Sequence, residues 1–175
     1  MGLFAIVGPS GAGKDTLLSG ALVARPDLML VRRVITRPTE AGGEDFDGVT
    51  AAEFARRKAT GEFALDWQAH GLCYGIPAAR IDPARDVLFN GSRAALPAAQ
   101  ARFPGLVVIM VTAPDAVLAA RLAARGRETA GDIAQRLQRT GYDVPAGPNV
   151  RQVVNDGTVA QGVARLLAAL QPVRG

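Results

Sequence analysis

Apolar residues in this chain fall into short unbroken runs separated by stretches in which they recur every three or four positions. That alternation predicts strands and helices in turn. Leu3-Phe4-Ala5-Ile6-Val7 is a run of strand length, closed by glycines at 8, 11 and 13 and followed by a helix start at Thr16-Leu17-Leu18. Met29 to Ile35 reads as a second strand, and Thr36 to Gly48 as a polar, Gly-rich loop carrying Arg37, long enough to be functional. Thr50-Ala-Ala-Glu53 has the spacing of a capping box and opens a helix through Phe54 to about Thr60. Strand patterns follow at Glu62 to Gln68, Leu72 to Ile76 and Asp86 to Phe89, then a helix from about Ala94. Leu106 to Thr112 has the continuous β-branched character of a central parallel strand.

Beyond it, Asp115 to about Arg125 is helical, with Val117, Leu118 and Leu122 on one face, and Gly126 interrupts it. A second helical stretch covers Ile133 to Arg139, Gly141 to Pro148 is rich in breakers, and Val150 to Asn155 reads as the last strand. The closing helix from Thr158 sets Val159, Val163, Leu166, Leu167 and Leu170 on one stripe, which is core packing. Strands alternating with helices predict an α/β fold: a central parallel sheet between helical layers, with ligands at the carboxyl ends of its strands. At 175 residues and 49% hydrophobic, the chain is expected to form one domain over 1–175, with inserts at approximately 33–80 and 121–148.

Composition narrows the setting. Cys73 is the single cysteine, so no internal disulfide forms, and a reduced cytoplasm fits. No apolar run reaches the length of a membrane span and no basic leader precedes the first strand, so no membrane association is expected. The net charge is +4 with a pI near 10.0, but aromatic residues are 5% of the chain and no basic block or nucleic-acid motif is present. The dispersed arginines suit a small anionic substrate, and no nucleic acid is expected as a partner. Oligomeric state is not legible.

The most specific motif is Gly8-Pro9-Ser10-Gly11-Ala12-Gly13-Lys14 between the first strand and the first helix. Successive backbone N–H groups and a helix N-terminus form an anion cradle, and a lysine at this offset reaches the β- and γ-phosphates of a nucleoside triphosphate. A Gly-rich turn that merely links strand to helix would have no need of Lys14. The next residue is Asp15, where such loops usually carry a Ser or Thr that ligates Mg²⁺. A carboxylate about 5 Å from a phosphate charge is repelled by roughly 3 kcal/mol at an effective dielectric of about 20. Asp15 therefore either holds Mg²⁺, directly or through water, or is a first-turn acid favoured by the helix dipole that leaves the metal to Thr16.

Other residues invite chemistry less strongly. His70 is the only histidine and lies in the Ala69-His-Gly-Leu72 turn, where shaping the pocket or the turn competes with catalysis. Trp67 and Cys73 read as packing residues. Arg32 and Arg33 are adjacent in an extended segment, so they point to opposite sides and at most one contacts substrate.

Four segments in this order resemble the guanylate-kinase-like branch of the nucleoside monophosphate kinases. They are the loop 8–14, Ile35-Thr-Arg-Pro38, Gly61-Glu-Phe63 through Tyr74-Gly75, and Arg121-Leu-Ala-Ala-Arg-Gly126 followed by Arg136. The resemblance covers nearly the whole chain. It implies a three-layer P-loop NTPase fold with an acceptor-binding insert and a helical lid, Lys14 and the loop amides on the donor phosphates, and Arg125 and Arg136 as lid arginines closing on the transferring phosphoryl. Arg37 matches an arginine that grips the acceptor's phosphate. The departures fall where that family reads guanine: Leu65 replaces the base-reading glutamate, Ile76 a hydroxyl residue, Phe46 a phosphate-binding tyrosine, and Glu40 a second phosphate arginine. An apolar pair leaves guanine's polar edge unpaired, so GMP is expected to be a poor acceptor.

The chain is also similar to the ribose 1,5-bisphosphate phosphokinases, at Gly13-Lys14-Asp15-Thr16, Ile35-Thr-Arg-Pro38, Ala69-His-Gly-Leu72 with Tyr74-Gly75, and Asn90-Gly-Ser-Arg93. That resemblance implies transfer of the γ-phosphoryl of ATP, with Mg²⁺, to ribose 1,5-bisphosphate, giving 5-phosphoribosyl 1-diphosphate in phosphonate degradation. It implies acceptor contacts from Arg37, Tyr74, Ser92 and Arg93, and metal contacts from Asp15 and Thr16. Two alternatives stand beside it: a guanylate or other nucleoside monophosphate kinase, which Leu65 and Ile76 oppose, and a non-catalytic interaction module, which would not need Lys14 and the lid arginines.

Overall fold

The computed structural model describes residues 1–41, 43–126, 129–139 and 147–172, with no side-chain description at 136, 138 and 139. In chain order the elements are β1 (Leu3–Val7), α1 (Lys14–Ala24), β2 (Met29–Leu30), β3 (Val34–Ile35), β4 (Asp47–Gly48), α2 (Ala51–Ala59), β5 (Phe63–Ala69), β6 (Leu72–Pro77), β7 (Val87–Asn90), α3 (Leu96–Arg102), β8 (Val107–Thr112), α4 (Asp115–Ala124), α5 (Ala130–Arg139), β9 (Val150–Val154) and α6 (Val159–Ala169). Two compact units are present, one of Met1–Ile6 with Pro26–Val107 and one of Val7–Arg25 with Val108–Gly175.

The first unit holds two sheets. In one, β7 lies parallel to both β1 and β2, with Val87 in register with Leu3 on one side and Met29 on the other. Phe4, Leu88 and Phe89 are buried, as the unbroken apolar runs require of strands covered on both faces. The other sheet runs β4-β3-β6-β5, entirely within 34–77; β6 is antiparallel to both β3 and β5, while β4 joins β3 in parallel. The expected single strand from Met29 to Ile35 is instead two strands of two residues each, in different sheets. The chain leaves the first sheet after the half-buried Leu30, passes Arg32 and Arg33, and enters the second at the buried Val34.

Tight turns set the second sheet's register. His70 and Gly71 join β5 to β6 with φ of 53° and 73°, the positive values at both central residues that a type I′ hairpin demands. Thr50 caps α2, accepting a hydrogen bond from the Glu53 N–H at 3.1 Å. The Glu53 carboxylate, expected to complete the capping box, pairs with Arg56 and Arg57 instead, and those bonds hold its pKa down at about 2.

The second unit builds around β8 and β9, parallel from Val108 opposite Val150 to Thr112 opposite Val154. Helix α1 packs on α6, α6 on β9, and α4 on α5. Gly20 lets α1 approach α6, since a Cβ there would strike Val163. Thr158 and Gln161 form a complete capping box at the start of α6. Leu166 and Leu170 are buried as expected, whereas Val159 is 57% exposed because it is the first helical residue, ahead of the packed turns. No described helix is long and apolar enough to cross a membrane.

Candidate active site

In the second unit, the chain leaves Val7 into a loop with little room for side chains. A Cβ on Gly8 would overlap the carbonyl oxygen of Val111 in β8. Gly13, at φ 86°, turns the chain into α1 through the left-handed region, and a Cβ there would lie 2.6 Å from Asn155 Nδ2. Lys14 is the first residue of α1, and its Nζ donates 2.7 Å to the Gly8 carbonyl, folding the ammonium over the loop. The loop 8–13, the lysine and the helix N-terminus thus form one cradle for an anion. Among the described residues no three His, Cys, Asp or Glu side chains cluster as metal ligands. Asp15 and Thr16 are exposed in the first turn of α1, which suits Mg²⁺, since that ion keeps several waters and takes one or two protein oxygens beside substrate phosphates.

Two residues outside the expected set reach this loop. Arg121, from α4, donates through Nη1 to the carbonyls of Gly11 at 3.2 Å and Ala12 at 3.3 Å, and through Nη2 to that of Asn155 at 2.8 Å. Asn155, just past β9 and 5% exposed, donates 2.8 Å from Nδ2 to the Ala12 carbonyl. Arg121 was visible in the sequence as part of a motif, and Asn155 only as the polar end of a strand. The one available signal was position, because ligands gather where parallel strands end. Of the two lid arginines, Arg125 is exposed at the carboxyl end of α4; Arg136 lies on α5, and its side chain is outside the described residues.

The first unit carries the residues assigned to the acceptor. The Arg37 guanidinium stands 4.2 Å over the ring of Phe46, which is 2% exposed, so the aromatic at 46 is a buried platform for the cation. Arg32 and Arg33 do point apart: Arg32 is exposed and pairs with Asp45 at 3.0 Å, while Arg33 is buried and pairs with both Glu44 carboxylate oxygens through Nε and Nη2. Both arginines therefore fasten the 36–48 loop through its acids. Arg33 also lies 4.9 Å over Tyr74, whose ring stacks on Trp67 at 5.4 Å and 5°. Leu65 and Ile76 are register partners across β5 and β6 and are 5% and 0% exposed. The two positions where a related kinase would read guanine thus form one closed apolar wall. Ser92 Oγ is buried without a hydrogen-bond partner, and Arg93 is exposed in the short 3-10 turn that precedes α3. His70 is exposed at the hairpin tip, with its backbone at φ 53°.

A cavity of about 400 Å³ bounded by Leu3, Val87, Phe103 and Leu106 opens in the same unit. It sits at the amino ends of β1 and β7, the opposite strand end from that at which such sheets bind ligands, and we assign it no part in the site.

No family model matches the chain. A ribose 1,5-bisphosphate phosphokinase PhnN from Ruegeria sp. (strain TM1040) is 48% identical over 177 residues, covering 98% of this chain and 93% of that protein. The chain belongs to the ribose 1,5-bisphosphate phosphokinase family. A member from Agrobacterium fabrum is 44% identical, covering 99% of this chain and 98% of its own length. Family members also occur inside longer proteins: the chain spans 29% of a bifunctional ribose 1,5-bisphosphokinase-thymidine phosphorylase from Cupriavidus necator, at 48% identity. Among solved structures, a guanylate kinase from Anaplasma phagocytophilum superimposes with a TM-score of 0.67 over 97% of this chain and 84% of that one, at 19% identity. A gluconokinase from Sinorhizobium meliloti gives 0.54 over 97% and 91%. The chain thus has a guanylate-kinase-like α/β P-loop fold.

Proposed function

We propose that the chain transfers the γ-phosphoryl group of ATP to ribose 1,5-bisphosphate, giving 5-phosphoribosyl 1-diphosphate and ADP, in phosphonate degradation. The observation that carries this reading within a P-loop kinase fold is the Leu65–Ile76 wall, which offers no partner to a base and leaves recognition to cations. Membership of a family whose dedicated members match end to end supports it. The wall also disfavours a guanylate kinase, and the intact P-loop with its lysine disfavours a non-catalytic module.

An oxygen of the acceptor's 1-phosphate attacks the γ-phosphorus as the bond from that phosphorus to the β,γ-bridging oxygen breaks, and ADP leaves. The attacking oxygen is already ionised near neutral pH, so no general base is needed, which accords with the exposed position of His70. Positioning and neutralisation are then the main demands on the protein. The loop amides of 8–13 and Lys14 hold the β- and γ-phosphates. Arg125 and Arg136 meet the charge that spreads over the equatorial oxygens. Arg37, Tyr74, Ser92 and Arg93 hold the acceptor, and the buried Ser92 hydroxyl gains its missing partner there. Asp15 and Thr16 would hold Mg²⁺, which when bound neutralises phosphate charge and orients the β- and γ-oxygens.

Phosphorus NMR of the purified protein with ATP and Mg²⁺, given ribose 1,5-bisphosphate in one sample and GMP in another, tests the proposal. A new sugar diphosphate signal in the first and no GDP in the second is expected. GDP without the sugar product would overturn it. Arg125→Ala should lower kcat by at least about a hundredfold; turnover within a few-fold of the parent would remove that residue from the mechanism.

A further inference from the structure

The P-loop is held from behind by two side chains that have no expected part in binding substrate. Asn155 Nδ2 and Arg121 Nη1 both donate to the Ala12 carbonyl, and Arg121 also takes the carbonyls of Gly11 and Asn155. Arg121 thus ties three backbone oxygens, in two separate segments, with one rigid guanidinium. The backbone is cleared for this contact. A Cβ on Gly13 would lie 2.6 Å from Asn155 Nδ2, and one on Gly162 in α6 would lie 2.5 Å from Asn155 Oδ1. Two glycines far apart in the chain, at 13 and 162, each leave room for the same amide. The Asn155 backbone is fixed as well, since its N–H donates 2.7 Å to the Thr112 carbonyl.

Peptide geometry turns this brace into a functional statement. The described peptide bonds are all trans, and across a planar trans peptide the C=O of one residue and the N–H of the next point in opposite directions. Drawing the Ala12 oxygen toward Asn155 and Arg121 therefore aims the Gly13 N–H the other way, to the side where an anion would lie at the start of α1. We propose that Asn155 and Arg121 are positioning residues that fix the Ala12–Gly13 peptide before the nucleotide arrives, so that the loop binds the donor's phosphates without first reorganising. The proposal rests on the reading that this loop takes the donor nucleotide. Arg121 adds a second effect: its described hydrogen-bond partners are all neutral carbonyls, and its charge, which also reaches the Asp156 carboxylate, adds to the field at the loop.

The test measures affinity for MgATP and for Mg-tripolyphosphate, which has the phosphates and no nucleoside, in the parent and in Asn155→Asp, Arg121→Lys and Leu118→Ala. Asn155→Asp keeps the shape of the side chain but turns a carboxylate oxygen on the Ala12 carbonyl. Arg121→Lys keeps the charge and loses the fork. Leu118→Ala truncates a buried residue of the same helix, α4, and serves as the stability control. Losing a charge-assisted or buried hydrogen bond predicts affinity about ten- to a hundredfold weaker for Asn155→Asp, by the same factor for both ligands, and a smaller equal loss for Arg121→Lys. Binding of ribose 1,5-bisphosphate should change less than about twofold, and Leu118→Ala should melt earlier yet bind like the parent. Should Asn155→Asp fail to fold, Arg121→Lys carries the comparison. The proposal is overturned if both variants bind within twofold of the parent, if only ATP and not tripolyphosphate is weakened, or if Leu118→Ala loses affinity equally. Direct binding needs no turnover, so a failure to make the sugar diphosphate would strike the proposed reaction and leave this result standing.

Discussion

Replacing Glu44 by Gln isolates what the 36–48 loop owes to a buried ion pair. The side chains of Arg33 and Glu44 are 8% and 19% exposed, and the guanidinium meets the carboxylate through both Nε and Nη2. Breaking a buried pair by removing one partner costs about 3–5 kcal/mol, because a charge is left without compensation. Two features lower that here: water reaches the Glu44 end, and Arg33 keeps its place over the Tyr74 face at 4.9 Å, worth about 0.5–2 kcal/mol. A loss of about 2–4 kcal/mol is expected. With a urea m value of about 2 kcal/mol per molar, the unfolding midpoint falls by about 1–2 M. The double variant Arg33→Met/Glu44→Leu should recover most of that stability, since a well-packed apolar pair often matches a buried ion pair. Neither variant should restore the acceptor KM, because Arg37 sits in the loop that the pair fastens, and KM should rise while MgATP affinity stays put. A midpoint shift below about 0.3 M for Glu44→Gln, or a double variant as unstable as the single, would refute the reasoning.

Three further outcomes follow from local geometry. Gly8→Ala places a Cβ on the Val111 carbonyl oxygen, so the loop must move and MgATP affinity should fall at least about tenfold, read by calorimetry; binding like the parent would mean the cradle tolerates displacement. His70→Asn keeps a residue suited to φ 53° and should retain turnover and melting temperature, whereas His70→Val should lose about 1–2 kcal/mol in urea unfolding; an inactive His70→Asn would return the imidazole to the mechanism. The Glu53 carboxyl is held down to about 2 by its bonds to Arg56 and Arg57, against an ordinary value of 4.5. A lowered carboxyl pKa stabilises the fold above about 4.5, and that contribution drains away as pH falls through about 2. Parent and Glu53→Gln urea midpoints should therefore differ most above pH 5 and converge toward pH 2; a gap constant across that range would contradict the assignment.

Legibility in the sequence followed the range of the interactions. The P-loop could be read because its cradle, its lysine and its helix N-terminus are contiguous, and each residue type has a local reason to be there. The opposite orientations of Arg32 and Arg33 were likewise legible, being a consequence of extended backbone alone. The division of the Met29–Ile35 run was not. Arg32 and Arg33 fall between the two strands, but an arginine pair also fits one continuous strand with a side chain on each face, so it does not mark a change of partner. Asn155 was hidden for a different reason: its partner, the Ala12 carbonyl, is 143 residues away and is backbone, so no complementary side chain advertises the contact.

The fate of the basic residues shows what the surplus charge is for. Arg32, Arg33, Arg56, Arg57, Lys58 and Arg165 each meet a carboxylate, and so hold loops and helix faces in place. Arg121 meets only carbonyl oxygens in its described bonds. A neutral acceptor fixes a cation's position without cancelling its charge, whereas a carboxylate does both. Cations paired with acids are structural on this argument, and those tethered by carbonyls remain attractive to an anion. Arg121 lies on the P-loop, so its field adds to that of the loop amides where the donor phosphates are proposed to bind. An excess of +4 spread over 175 residues thereby becomes a local field, and raising ionic strength should weaken MgATP binding in the parent more than in Arg121→Gln.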